Sequence, residues 1–502
     1  MGATPTVTEQ ARAARLFLAR IGPDRLVAVS LPKLGDDDDA LSPEAIAFLR
    51  DALATALPSA KRFLSVTLPA PKEAAEKFLR LVPRESGFLW RALGRDQFAG
   101  GGAAGGVTVG GHDRFAKLSQ SVPAFFELVE SMSLDGKPPP PVLVGGASFA
   151  PGVPMFEPWD EFGEDAFVLP RWGYRRQRAT ASITLTVGRE ELAGPAEIER
   201  LVDEARTLAS AFEFESATSL IERIDLANAI VHHLPASDWR AYIDTIHAAI
   251  ASGEYKKIVA ARRCVVELRR KLEDTGFMAR VFAAYPDCTH FAIRREHATF
   301  LGATPETLFR KQGLRLETEA LAGTTRIADD PATDSERDVA ALQSSGKDRG
   351  EHELVVERIC TELGPLTTSI QYDTKPSTRQ VRNLIHLRTP ITGELRAETT
   401  VFDLLAALHP TPAVGGFPAR EAAEWLTQNE PLERGWYTGT IGWIDAAGDG
   451  EFAVAIRCGV LTPSHAYIFA GAGIVAASDA DAEYAETSGK MGPLLRALGV
   501  KF

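Results

Sequence analysis

Hydrophobic and polar positions sort into readable elements most clearly from about Ser237 onward. Trp239 to Ser252 carries apolar residues at helical spacing and stops before Gly253, a residue suited to a helix C-terminus. Lys257 to Val266 opens on the apolar run Ile258-Val259-Ala260-Ala261 and predicts a strand. Phe300 to Gly302 predicts another, leading into the turn Ala303-Thr304-Pro305, and Leu308 to Arg310 with Leu314 to Glu317 flank Gln312-Gly313 as a hairpin would. Asp334 to Leu363 predicts one long helix ending at Gly364. Gly439 to Asp445, Glu451 to Arg457 and Ala466 to Ala470 predict successive antiparallel strands, with turns at Gly448-Asp449-Gly450 and Pro463-Ser464. Ala480 to Leu498 predicts a closing helix.

The earlier part of the chain is less regular. Ala99 to Gly111 is dense in glycine but lacks the Lys-Ser/Thr that follows a phosphate loop, and no helical pattern opens after it, so glycine-rich strands and a turn are expected there. Pro138 to Pro141 is a stiff connector ahead of an apolar strand, Val142 to Val144. Strands and helices alternate without the rhythm of a doubly wound sheet, which favours an antiparallel α+β fold. No linker forces a division, so residues 1–502 are expected to form one unit, with a variable part over 1–235 and the chemistry over 236–502.

Composition narrows the function. Hydrophobic residues make up 45% and charged residues 24% of the chain, ordinary globular values. No apolar run is long enough for a membrane span, and no apolar stretch follows a basic start as in a secretory signal. Cys264, Cys288, Cys360 and Cys458 lie far apart, which fits a reducing cytoplasm better than a disulfide framework or zinc site. A formal net charge of -12 speaks against nucleic acid, and an anionic ligand would need a local patch of cations or a metal.

Several polar residues stand out by position. Lys347 and Glu351 share one helical face, as do Glu483, Glu486 and Lys490 on the last helix. Carboxylates so placed could grip a hard cation such as Mg2+, although most Glu/Lys spacing of this kind is solvated ion pairing. Lys257 stands at a strand start, Glu306 follows Pro305 at a strand-to-turn junction, and Arg457 lies between Ile456 and Cys458. Each has an ordinary structural reading: a surface strand end, a carboxylate favoured at a helix start, a paired strand arginine.

Taken together, the segments are far more specific. KIVAARR from Lys257, FLGATPETLFR over Phe300–Arg310, ALAGTTR over Ala320–Arg326 and SGKDRGEHELVV over Ser345–Val356 are followed by IHLRTPITG, HPTPAVGGFP, RGWYTGTIGW, FAVAIRCG, FAGAGIV and EYAETSGK. In this order they resemble the chorismate-utilising enzymes: isochorismate synthases, salicylate synthases and the large subunits of anthranilate and aminodeoxychorismate synthases. Within that family the pattern is similar to isochorismate synthases, the menaquinone-pathway type above all. Residues 144–175, with Trp159, resemble the amino-terminal region of that type.

The resemblance implies a large α+β unit with a central antiparallel β-sheet sandwich surrounded by helices. It also implies roles. Lys257 matches a general base acting on water, a position where ammonia-using members usually lack lysine. Glu306 matches the general acid that protonates the departing ring hydroxyl. Glu351 and Glu486 match magnesium ligands, with Asp348 and Glu483 beside them. Arg457, Tyr437 and the backbone at Gly471 match groups holding the enolpyruvyl carboxylate, while Lys490, Gly323, Thr324 and His386 match positions around the ring and its carboxylate. Ala413 stands where salicylate synthases typically carry threonine. Chorismate would take water at C2 and lose its C4 hydroxyl, which requires Lys257 neutral and Glu306 protonated at working pH. Rival readings are an isochorismate synthase of a siderophore pathway, a salicylate synthase, an aminating synthase working with an amidotransferase subunit, which Lys257 opposes, and a degenerate binding relative. No amidotransferase, nucleic-acid or membrane partner is expected.

Overall fold

The computed structural model describes residues 41–55, 61–214, 229–326, 335–381 and 384–501, with the short strand Arg15–Leu16. The side chains of Thr324, Lys347 and Glu351 lie outside the described residues. All the described strands join one hydrogen-bonded network. Pairing within it is antiparallel, except where Phe63–Pro69 runs parallel to Val129–Ser133.

The network curls on itself, and the side chains show where its inside lies. One core cluster contains Phe88, Trp90, Phe98, Trp159, Phe291, Phe300, Trp436, Tyr437, Trp443 and Phe469, drawn from strands and connecting loops with no helix among its buried members. That aromatic layer fills the space between sheet faces. The two larger clusters pack helices onto the outer faces: Pro43–Thr55, Pro195–Phe214, Asp274–Ala284 and Ala480–Ala497 in one, Ala236–Ala251 and Val401–Leu408 in the other. The expected sandwich of antiparallel strands within a helical shell is therefore observed, and burying apolar faces on both sides of the sheet drives it.

Strand Lys257–Glu267 lies at the centre of the later half. It pairs along almost its whole length with His465–Ile474, from Ile258 opposite Ile474 to Glu267 opposite His465, and its first residues also pair with Gly416–Phe417. The predicted hairpin is present as Thr307–Gln312 and Arg315–Arg326, turning at Gly313 with φ +56°. The glycine-dense segment is the strand Gln97–Thr108, paired with Asp165–Arg176. Val142–Ala147 pairs with Thr440–Asp445, tying the first part of the chain to the second.

Two expected elements differ. The long helix predicted from Asp334, which itself lies outside the described residues, is two helices, Ser335–Ser344 and Gly346–Leu363. Ser345 breaks it by turning to extended backbone and accepting a hydrogen bond from the Asp348 amide at 3.2 Å, so a new helix starts with its own cap. The strand predicted to reach Arg457 is Gly450–Val454, and the chain then bends so that Arg457 takes φ +51° before Cys458–Leu461 begins. An arginine in the left-handed region is uncommon and costs backbone strain.

Candidate active site

The strand Lys257–Glu267 begins the site. Lys257 lies across Gly473 of the neighbouring strand: a Cβ added there would be 2.5 Å from its Cε and 3.2 Å from its Nζ. A side chain at 473 would displace the end of the lysine arm from this position. Glu306 is fixed through its backbone, its amide donating to Thr304 Oγ1 at 3.2 Å and its carbonyl accepting from the Val454 amide at 3.1 Å. Thr304 in turn donates to the Val454 carbonyl at 2.6 Å, which closes the junction. The Glu306 side chain accepts one hydrogen bond, from Thr411 Oγ1 at 3.1 Å.

Burial pushes the Glu306 carboxyl up to about 7; the Thr411 hydrogen bond opposes that rise, the nearby charge of Glu319 adds to it, and Arg457 and Lys257 resist it. Glu319 itself is held by Arg379 at 2.6 Å and Arg388 at 2.5 Å. Glu306 thus sits in the range useful to an acid at neutral pH, within the field of the lysine it was expected to work with.

Cations gather beside it. Arg457 lies within electrostatic reach of Glu306, His386, Tyr437 and Lys490. Among the described residues no carboxylate forms an ion pair with Arg457. Lys490 donates to the Gly471 carbonyl at 2.9 Å and to Glu486 Oε1 at 2.5 Å; burial holds its ammonium below the usual lysine range, and Arg457 adds to that. His386 is neutral, pushed down to about 4 by burial and then by Arg457, Lys490 and Arg379. Tyr437 stacks on Phe469 with ring centres 5.3 Å apart and planes at 18°. A Cβ on Gly471 would meet Tyr437 Oη at 3.0 Å and the Ala260 carbonyl at 2.9 Å, so glycine allows the close approach. Arg457, Lys490, His386, Tyr437 and Gly471 therefore form one wall suited to an anion.

The carboxylates stand on helix Ala480–Ala497. Glu483 accepts from Ser478 at 2.8 Å, and burial raises its carboxyl, with repulsion from Glu486 adding to the rise. Arg262, 1% exposed, fastens this helix to strand Lys257–Glu267 by bonding Thr487 at 2.7 Å, Ser488 at 2.5 Å and the Tyr484 carbonyl at 3.1 Å. Gly323 has φ +72° at a bulge in the strand opposite His386 and Leu387, and a Cβ there would lie 3.2 Å from that of Asp348. Asp348 touches this bulge, and one oxygen of its carboxylate accepts from the Ser345 hydroxyl, the cap of its helix. Glu351 belongs to helix Gly346–Leu363, and its side chain, like that of Thr324, lies outside the described residues. Among the described residues no group of three or more His, Cys, Asp or Glu gathers as a metal site.

Ala413 stands on the same segment as Thr411. It is exposed on the turn after His409, and the residue of that segment that reaches the site is Thr411. The sequence reading also missed the buried pair Glu430–Arg434, 2% and 3% exposed in their side chains. Arg434 donates to the Val414 carbonyl at 2.7 Å and the Val259 carbonyl at 2.6 Å, and Glu430 accepts from the Ala261 amide at 2.9 Å. This pair locks the Thr411 turn to the strand of Lys257. Both residues flank or fall in RGWYTGTIGW, but nothing local signalled their partners.

A curled antiparallel sandwich that holds a raised carboxyl, a lysine within its field and a cationic wall has the make-up of an enzyme site able to move protons on a small anion. The model of the family described as chorismate binding enzyme matches residues 49–499, and the chain belongs to that family. The isochorismate synthase MenF of Bacillus subtilis is 32% identical over 387 residues, covering 77% of this chain and 79% of that protein. The salicylate biosynthesis isochorismate synthase of Pseudomonas aeruginosa is 34% identical over 399 residues, covering 77% of this chain and 80% of that protein. The solved structure of the menaquinone-specific isochorismate synthase MenF of Escherichia coli shares the fold, with a TM-score of 0.73, 24% identity, and coverage of 91% of this chain and 99% of that one.

Proposed function

We propose that this protein is an isochorismate synthase of the menaquinone-pathway type, acting in the cytoplasm without an amidotransferase subunit. The carrying observation is the Glu306 carboxyl, raised to about 7 within the field of Lys257 and beside an arginine with no carboxylate partner among the described residues. Hydroxide is a poor leaving group, so Glu306 protonates the C4 hydroxyl as its bond breaks. Lys257 takes a proton from the water entering at C2. Arg457, Tyr437 and the Gly471 backbone hold the enolpyruvyl carboxylate, while Lys490, His386, Gly323 and Thr324 border the ring. The resemblance to MenF of Bacillus subtilis supports the pathway. Among the described residues no helix is long and apolar enough to cross a membrane.

The donor set suits Mg2+. Glu483 and Glu486 are oxygen donors three residues apart whose mutual repulsion a cation would relieve, and Mg2+ commonly takes one or two protein carboxylates. Glu351 and Glu486 would hold the ion, with Glu483 and Asp348 beside it. When bound, the ion offsets the charge of the ring carboxylate and fixes its orientation.

Purified protein given chorismate and Mg2+ is expected to release isochorismate without pyruvate, and chelation to stop turnover. Salicylate with matching pyruvate, or anthranilate formed only when ammonia is added, contradicts the assignment.

A further inference from the structure

We propose that Thr411 is a positioning residue that reserves one oxygen of Glu306 for proton delivery. The inference rests on the reading of Glu306 as the acid. The Thr411 hydroxyl donates to Oε1 at 3.1 Å, whereas Oε2 has no hydrogen-bond partner among the described residues and is not among the atoms sealed from solvent. A neutral carboxyl has one hydroxyl oxygen and one carbonyl oxygen. An O–H group aimed at Oε1 makes that oxygen the acceptor, so the proton sits on Oε2, the oxygen without a hydrogen-bond partner among the described residues. As the proton leaves for the departing hydroxyl, Glu306 becomes a carboxylate, and the same hydrogen bond strengthens as charge appears.

The threonine is itself held in place. Its carbonyl accepts from the amides of Val414 at 3.1 Å and Gly415 at 3.0 Å. Val414 is bound through its carbonyl to Arg434 at 2.7 Å, and the Gly415 carbonyl accepts from the Val259 amide at 3.1 Å. Val259 lies two residues beyond Lys257 on the same strand. The turn therefore registers the acid's oxygen against the strand that carries the base. Threonine is stiff about χ1, so the hydroxyl direction follows from the backbone.

The test compares Thr411→Val and Thr411→Ser with the unaltered enzyme, in kcat across pH. Thr411→Val keeps the shape and removes the donor, and kcat is expected to fall about tenfold, the size of one hydrogen bond to a charged group. Its alkaline limb is expected at higher pH, because the lost donor favoured the ionised carboxyl; Thr411→Ser recovers most of the rate and returns the limb. A Thr411→Val profile superimposable on the unaltered enzyme overturns the proposal, as does a Thr411→Ser variant as impaired as Thr411→Val. Glu306→Gln separates the two claims: full turnover in that variant refutes Glu306 as the acid, while an inactive Glu306→Gln beside an unmoved Thr411→Val limb refutes only the role of Thr411.

Discussion

Glu306 shows how far a single residue's chemistry is set by what surrounds it. Its carboxyl rises from 4.5 to about 7 because burial penalises the anion more than Lys257 and Arg457 favour it. Folded Glu306 holds its proton more tightly than an unfolded glutamate. Its contribution to stability is therefore complete below pH 4.5 and is lost as pH rises through about 7. Above that range the native state bears a buried charge worth on the order of 3 kcal/mol. Glu306→Gln is expected to lose roughly 10²–10⁴-fold in turnover. The same variant should be more stable than the unaltered protein in denaturant melts at pH 8, with the difference closing towards pH 4.5. At this scale the motif around Pro305 made Glu306 legible in sequence, and Lys257 equally so. Thr411 was not, because its partner lies 105 residues away and a hydroxyl in a proline-rich turn looks like loop chemistry. Ala413, singled out two positions on, is exposed.

Between elements, most of what the sequence hid is hydrogen bonding from side chain to backbone. Apolar spacing found the strands and the last helix, since burial pattern and period coincide there. It ran two helices together across Ser345, where a single cap outweighs continuous helical periodicity, and it carried a strand on to Arg457, where the chain bends. The Glu430–Arg434 pair binds the carbonyls of Val259 and Val414 and the amide of Ala261, so it couples the strand of Lys257 to the Thr411 turn. Glu430→Ala would leave a guanidinium buried without its counter-charge. The expected loss is about 3–5 kcal/mol in urea melts, and the double variant with Arg434→Ala should lose less than the sum of the single changes. Additive losses would show that the two side chains do not act as one unit.

Across the whole molecule, a chain of net charge -12 presents an anion with a wall of arginine, lysine and neutral histidine. The first part of the chain supports that wall. Trp159 packs on Phe469 at 5.3 Å, Phe469 stacks on Tyr437 at 5.3 Å, and a Cβ on Gly435 would press 2.3 Å from the Trp159 ring. The family match likewise reaches back to residue 49. Residues so far from the motifs gave little away in sequence because packing, unlike a catalytic pair, tolerates many solutions. The most direct test of the whole account is to run the reaction in H2(18)O and locate the label by NMR and mass spectrometry. The account predicts isochorismate with a single heavy oxygen, at C2, and pyruvate absent. Unlabelled isochorismate, or salicylate carrying the heavy oxygen in its hydroxyl with an equal amount of pyruvate released, would contradict it.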